Sequence, residues 1–143
     1  MVKPEDLLGT WKLESWEITY SDGRPTTYPF GETSVGLILY TPDGYMSATI
    51  SRSDRTPMSN PNVRRAPQGE KADSFDSYFH YSGTWRIEGN EVIHTVQHAL
   101  DPFFVGTDQV REMDYRGDVL VLAANITTAS GAKMHNRITW RRP

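Results

Sequence analysis

The 143-residue sequence predicts an all-β domain, a sandwich or an antiparallel meander barrel of roughly eight strands. Three observations carry this expectation. Short alternating or β-branched runs recur along the chain, tight-turn residues separate them, and helix signals are scarce. Closing such a sheet into a barrel leaves no unpaired edge, and eight strands enclose space for side chains or one small ligand.

Taken in order, residues 4–8 form a short opening turn, and residues 11–20 alternate up to the hairpin signal Ser21-Asp22-Gly23. The apolar run 35–40 stops at Thr41-Pro42-Asp43-Gly44, where Pro and Gly suit a tight turn, and 45–50 resumes as its partner. Residues 51–69 depart from this pattern. They hold Pro57, Pro61 and Pro67 among Arg, Ser and Asn without an apolar period, and read equally as a lid or a surface excursion. One short helix is expected after this long loop, over 69–78. Residues 84–87 then turn through Glu88-Gly89-Asn90 into the β-branched run 91–98. The segments 109–115, 119–124 and 134–141 follow, joined at Arg116-Gly117-Asp118 and Ala129-Ser130-Gly131. No internal repeat or linker interrupts the chain, so residues 1–143 read as a single domain.

Composition removes several function classes. Without cysteine there is no disulfide, thiolate metal site or cysteine nucleophile. A formal charge of −3, with Arg64-Arg65 and Arg141-Arg142 as the only dense basic spots, argues against nucleic acid. The opening Met1-Val2-Lys3-Pro4-Glu5-Asp6 carries early acids and no long apolar run, and nothing approaches the roughly 18 apolar residues of a membrane span. A cytoplasmic protein with no membrane partner is the expectation. Four Trp, seven Tyr and five Phe suit a pleated sheet or the wall of a ligand cavity.

Period-2 alternation sorts the polar residues by face. In 91–98, Val92, His94, Val96 and His98 share the face expected inside. In 109–115, the acids Glu112 and Asp114 belong outside, which turns Gln109, Arg111, Met113 and Tyr115 inward. A buried arginine needs a carboxylate, a carbonyl or an anionic ligand. His94 is therefore a candidate general acid or base, and Arg111 a clamp for a carboxylate, enolate or phenolate. Tyr81, on the face shared with Trp85, is the third catalytic candidate. Tyr40, Gln109 and Asn136 are candidate hydrogen-bonding ligand contacts, and Trp85, Val96, Phe103 and Met113 candidate apolar ones. The bland reading of the same residues is an internal network that fixes the barrel.

Other chemistries find no pattern. His94 and His98 would chelate a metal on a helix, but on a strand they stand about 13 Å apart, so no metal site is expected. One inward histidine leaves haem ligation open. There is no Gly-x-Ser-x-Gly elbow, no Walker sequence, no Gly-rich dinucleotide turn and no pair of interior carboxylates.

Leu8-Gly9-Thr10-Trp11 before the first strand resembles the Gly-x-Trp signature of lipocalins and their calycin relatives. Several segments extend the likeness, among them Tyr28-Pro29-Phe30-Gly31-Glu32, 36–47, Tyr81-Ser82-Gly83-Thr84-Trp85, Val92-Ile93-His94-Thr95-Val96 and 101–111. Together they resemble the small bacterial and fungal single-domain members of the lipocalin-like family. That resemblance implies a meander barrel of lipocalin/calycin type, with Arg141 or Arg142 stacked over Trp11. It also implies a small-molecule role, often in secondary metabolism or catabolism, without handing over a catalytic set. The expected function is a cofactor-independent isomerase, cyclase or lyase acting on a hydrophobic or aromatic metabolite, with or without an anionic group. A carrier or sensor of the same ligand, or a structural module filled by its own rings, are the alternatives; a homodimer is left open.

Overall fold

A computed structural model describes all residues, 1–143. Eight strands pair in sequence order: β1 (Gly9–Tyr20), β2 (Val35–Tyr40), β3 (Tyr45–Ser51), β4 (Tyr78–Glu88), β5 (Glu91–Ala99), β6 (Asp108–Tyr115), β7 (Val119–Thr127) and β8 (Lys133–Arg141). Every neighbouring pair is antiparallel, and β8 pairs back onto β1 from Lys12↔Arg141 to Tyr20↔Met134. This closure decides between sandwich and barrel. The β2–β3 turn closes on Gly44 at φ 92°, a left-handed conformation that a side chain would strain. Two helices accompany the strands, α1 (Pro4–Leu7) and α2 (Gln68–Asp76), and no helix is long and apolar enough to cross a membrane.

Two strands break the simple alternation. Gly83 pairs with Val96 but Ser82 pairs with His98, so Gln97 bulges out of β5 and parity reverses beyond it. His98 is consequently exposed, and the expectation that it shares the inner face with His94 is corrected. In β1 the register steps from Leu13↔Trp140 to Ser15↔Thr139, which leaves Glu14 unmatched and turns Trp16 inward. The strand expected to begin at Thr84 starts instead at Tyr78. The run Tyr78-Phe79-His80-Tyr81 pairs with β3, in keeping with the strand preference of aromatic side chains.

One end of the barrel is sealed. The Trp11 indole is fully buried and donates from Nε1 to the Leu7 carbonyl at 2.9 Å. An indole removes about 150–250 Å² from water, roughly 4–6 kcal/mol at about 25 cal/mol per Å². Arg142 stacks on the ring at 3.8 Å, while Arg141 pairs with Glu14 on the outer surface at 2.8 Å. Of the two candidate arginines, Arg142 is the one over Trp11.

The long segment after β3 is fastened to α2. The Glu70 carboxylate accepts from the Ser59 backbone N–H and hydroxyl, both at 2.7 Å. Arg55 donates to the Ser77 hydroxyl and the Ser74 carbonyl, and it lies 5.0 Å from the Tyr78 ring centre. No residue of 52–69 lines the interior cavity.

Candidate functional site

The barrel encloses a cavity of about 230 Å³. Trp16, Ile38, Ala48, Ile50, Phe79, Phe104, Leu122, Ile138 and Trp140 make its apolar wall, and Tyr81, His94, Arg111 and Asn136 its polar part. A larger depression of about 380 Å³ lies at the surface between the long loop and α2. Its wall is entirely polar, and two of its charges, Arg52 and Asp54, pair with each other. The interior cavity, with its apolar wall and few converging polar groups, has the character of a ligand site.

His94 is the centre of the polar part. Strand β5 carries it inward between Trp85 of β4 and Gln109 of β6, its register neighbours, and it is 1% exposed. Its Nε2 lies 2.7 Å from the Tyr40 hydroxyl and its Nδ1 2.7 Å from the Tyr81 hydroxyl. Burial, and then the Arg111 charge, lower its pKa from 6.5 to about 3, so the ring is neutral at ordinary pH. Burial raises Tyr81 to about 12 against the pull of Arg111, and pushes Tyr40 well above the usual tyrosine value. Both tyrosines keep their protons.

Counting protons fixes the direction of this chain. A neutral imidazole has one donor and one acceptor nitrogen. Tyr40 is buried and has no hydrogen-bond partner other than His94, so its proton is satisfied only by donating to Nε2. Nδ1–H then donates to the Tyr81 oxygen. The Tyr81 hydroxyl proton is left over, and Tyr81 lines the cavity. Trp85 backs the assembly without reaching the cavity. Its ring centre is 4.8 Å from that of Tyr40, and its Nε1 donates to the Thr41 carbonyl.

Arg111 lies on β6 opposite Val92 and is half-buried in the cavity wall. Its guanidinium donates to the Val110 carbonyl at 2.8 Å and to Gln109 Oε1 at 3.5 Å, and no carboxylate lies within 4.0 Å of it. Gln109 is oriented by its own donation to Thr107 Oγ1 at 2.9 Å. It steers Arg111 from outside the cavity. Two strands further on, Asn136 Oδ1 on β8 accepts from Trp16 Nε1 at 2.7 Å, which leaves the amide N–H groups of Asn136 as donors. The Trp140 indole Nε1 is buried and has no acceptor in the protein.

The sequence-derived candidates thus divide. His94, Arg111, Tyr81 and Asn136 line one cavity, whereas Tyr40, Trp85 and Gln109 stand behind them. Val96 and Met113 belong to the packed core outside the cavity wall. Phe103 is 79% exposed, and its neighbour Phe104 takes the inward place, 5.9 Å from the Phe79 ring and 6.5 Å from Tyr81. Pro102–Phe104 is a 3-10 turn, where strand parity assigns no face. Sequence reasoning missed Trp16 and Trp140. Ile38, Ala48 and Ile50 were available from the alternation of β2 and β3.

A closed meander barrel around one mostly apolar cavity defines a class, the barrels that bind small hydrophobic ligands. The family model described as a lipocalin-like domain matches residues 8–143, and the chain belongs to that family. Neither the curated proteins nor the solved structures give a significant match.

Proposed function

We propose that the protein is a cofactor-independent enzyme of the isomerase, cyclase or lyase type, acting on a small, largely apolar metabolite. One observation carries this reading. The Tyr40–His94–Tyr81 chain delivers a free hydroxyl proton to the cavity wall that also holds the unpaired Arg111 guanidinium. Two donors on one substrate oxygen stabilise the negative charge that grows there during enolisation, ring closure or carbon–carbon cleavage. The apolar wall adds orientation and excludes water. In this scheme Tyr81 and Arg111 touch the substrate. His94, with both nitrogens engaged, is a positioning residue that holds the Tyr81 oxygen through Nδ1–H.

The second reading is a carrier or sensor that holds the same molecule unchanged. The lack of a proton acceptor among the lining side chains favours it, since no carboxylate faces the cavity and both His94 nitrogens are taken. The bicyclic ketone 2-tetralone distinguishes the two. Exchange of its α-hydrogens in heavy water, with solvent D2O or deuteroxide taking the α-proton while Tyr81 and Arg111 hold the enolate oxygen, should run faster with the wild-type protein than in buffer when followed by NMR. Tyr81→Phe should lower the excess rate at least about tenfold, in the range of one lost transition-state donor. Saturable binding of the ketone without accelerated exchange would leave the carrier.

A further inference from the structure

We infer that the cavity recognises a flat, conjugated molecule with oxygen acceptors at two opposite edges, one of them anionic. This deepens the reading of the barrel interior as a small-molecule site and rests on it.

The polar atoms left free at the cavity wall are donors. They are the Tyr81 hydroxyl proton, the remaining guanidinium hydrogens of Arg111, the amide hydrogens of Asn136 and the indole N–H of Trp140, which lies on the same strand as Asn136. The acceptors nearby are already engaged: Asn136 Oδ1 by Trp16, both His94 nitrogens by the tyrosine chain and Gln109 Oε1 by Arg111. A ligand that only donates would have to share these engaged oxygens and would leave the free donors of the wall unsatisfied. A ligand that accepts satisfies groups the fold leaves open.

Topology spaces these donors. Tyr81 lies on β4 and Asn136 on β8, four strands apart in either direction around the closed ring, so they face each other across the barrel. Arg111 on β6 stands midway between them, and its charge has no carboxylate partner. A single acceptor cannot serve both walls; a body with one oxygen at each edge can. A positive charge facing a confined apolar space favours an anion at one of those oxygens.

Shape and size fit a planar body. Trp16, Phe79, Phe104 and Trp140 present rings to the cavity. An apolar cavity of roughly 150 Å³ accommodates benzene, so about 230 Å³ suits a substituted ring or a fused pair.

Isothermal titration of the intact protein with three probes of one shape tests this. They are 2-hydroxy-1,4-naphthoquinone, anionic at neutral pH; 1,4-naphthoquinone, with two neutral acceptors; and naphthalene, with none. The chain has no cysteine for a quinone to alkylate. The affinity should fall at each step by about tenfold or more, the scale of a hydrogen bond to a charged or buried group. Arg111→Met should abolish the first step alone, and Asn136→Leu should shrink the second. Equal affinity for all three probes, or naphthalene binding tightest, overturns the inference while leaving the cavity a small-molecule site. Failure of all three to bind removes that site, and the inference falls with it.

Discussion

The Arg142 guanidinium lies 3.8 Å from the centre of the Trp11 ring and donates to the carbonyls of Thr10 and Asp6 at 3.1 and 2.9 Å. The end of the chain is thereby clamped over its beginning. Arg142→Met keeps the aliphatic stem but loses a cation–π contact of about 0.5–2 kcal/mol and two charge-assisted hydrogen bonds. Chemical denaturation should show a loss of about 2–4 kcal/mol. Arg142→Lys should recover less than half of it, because an ammonium does not reproduce the planar fork. Arg141→Met, which breaks only the exposed pair with Glu14, should cost less than about 1 kcal/mol. Equal effects at the two positions would remove the clamp from the account.

Gly83 faces the β5 bulge, and a Cβ there would stand 1.9 Å from the Thr95 carbonyl oxygen. Gly36 is similar, 2.1 Å from the Thr49 carbonyl oxygen. Both neighbours are backbone, so neither swings away. Gly83→Ala should destabilise by about 3 kcal/mol or more, the upper end for overpacking. Gly44→Ala, strained only by its positive φ, should cost about 1 kcal/mol. Thermal unfolding of the two variants measures the difference, and an unchanged midpoint for Gly83→Ala would contradict the close approach.

The bulges also explain how much the sequence discloses. Strand number, order and turns follow from alternation and turn chemistry, which are local. The inward placement of His94 and Arg111 follows too, because each lies on a regular stretch between acids or β-branched residues. His98 and Trp16 lie beyond an extra residue, Gln97 and Glu14 respectively, and one inserted residue exchanges inside for outside. Nothing in the local composition marks either insertion. The role of Tyr40 behind His94, 54 positions away in sequence, depends on barrel closure and is invisible to any local pattern.

The proton count around His94 makes a spectroscopic prediction. Nitrogen NMR at neutral pH should find Nδ1 protonated and Nε2 bare, because Tyr40 has no other acceptor for its proton. Tyr40→Phe should remove that constraint and destabilise by about 1–3 kcal/mol, the cost of an unsatisfied buried nitrogen. A protonated Nε2 in the wild type would reverse the chain and withdraw the free proton from Tyr81.

Tyr40 and Tyr81 should hold their protons far into the alkaline range. Their native pKa values lie above 10, that of Tyr81 at about 12, chiefly through burial. Between pH 10 and 12 the unfolded chain gives up these protons more readily than the native one, so stability declines as pH rises through this window. Tyrosinate absorbance from these two rings, identified by its loss in Tyr40→Phe and Tyr81→Phe, should appear only with unfolding at the alkaline end. Ionisation of either ring in the folded protein at about pH 10 would contradict the burial of the pair.

The acid side is governed by His94. Its native pKa is about 3 against 6.5 in the unfolded chain, so from pH 6.5 downward the unfolded state takes a proton the native state refuses. Stability is therefore complete above about pH 7, declines through this interval and levels off near pH 3. The limiting slope is about 1.4 kcal/mol per pH unit, which gives a loss of roughly 1–2 kcal/mol between pH 6.5 and 5. His94→Gln supplies a donor and an acceptor for the two tyrosines but does not titrate. It should start less stable at pH 7, yet lose almost nothing over the same interval in denaturant titrations. The surface carboxylates held below their ordinary range by hydrogen bonds, Asp22, Asp54, Glu70 and Asp108, act only at lower pH and should leave both proteins with a common decline there. If the variant keeps the wild-type slope between pH 6.5 and 5, the acid sensitivity has another origin, and the neutral, doubly bonded imidazole ceases to explain why Tyr81 holds a spare proton.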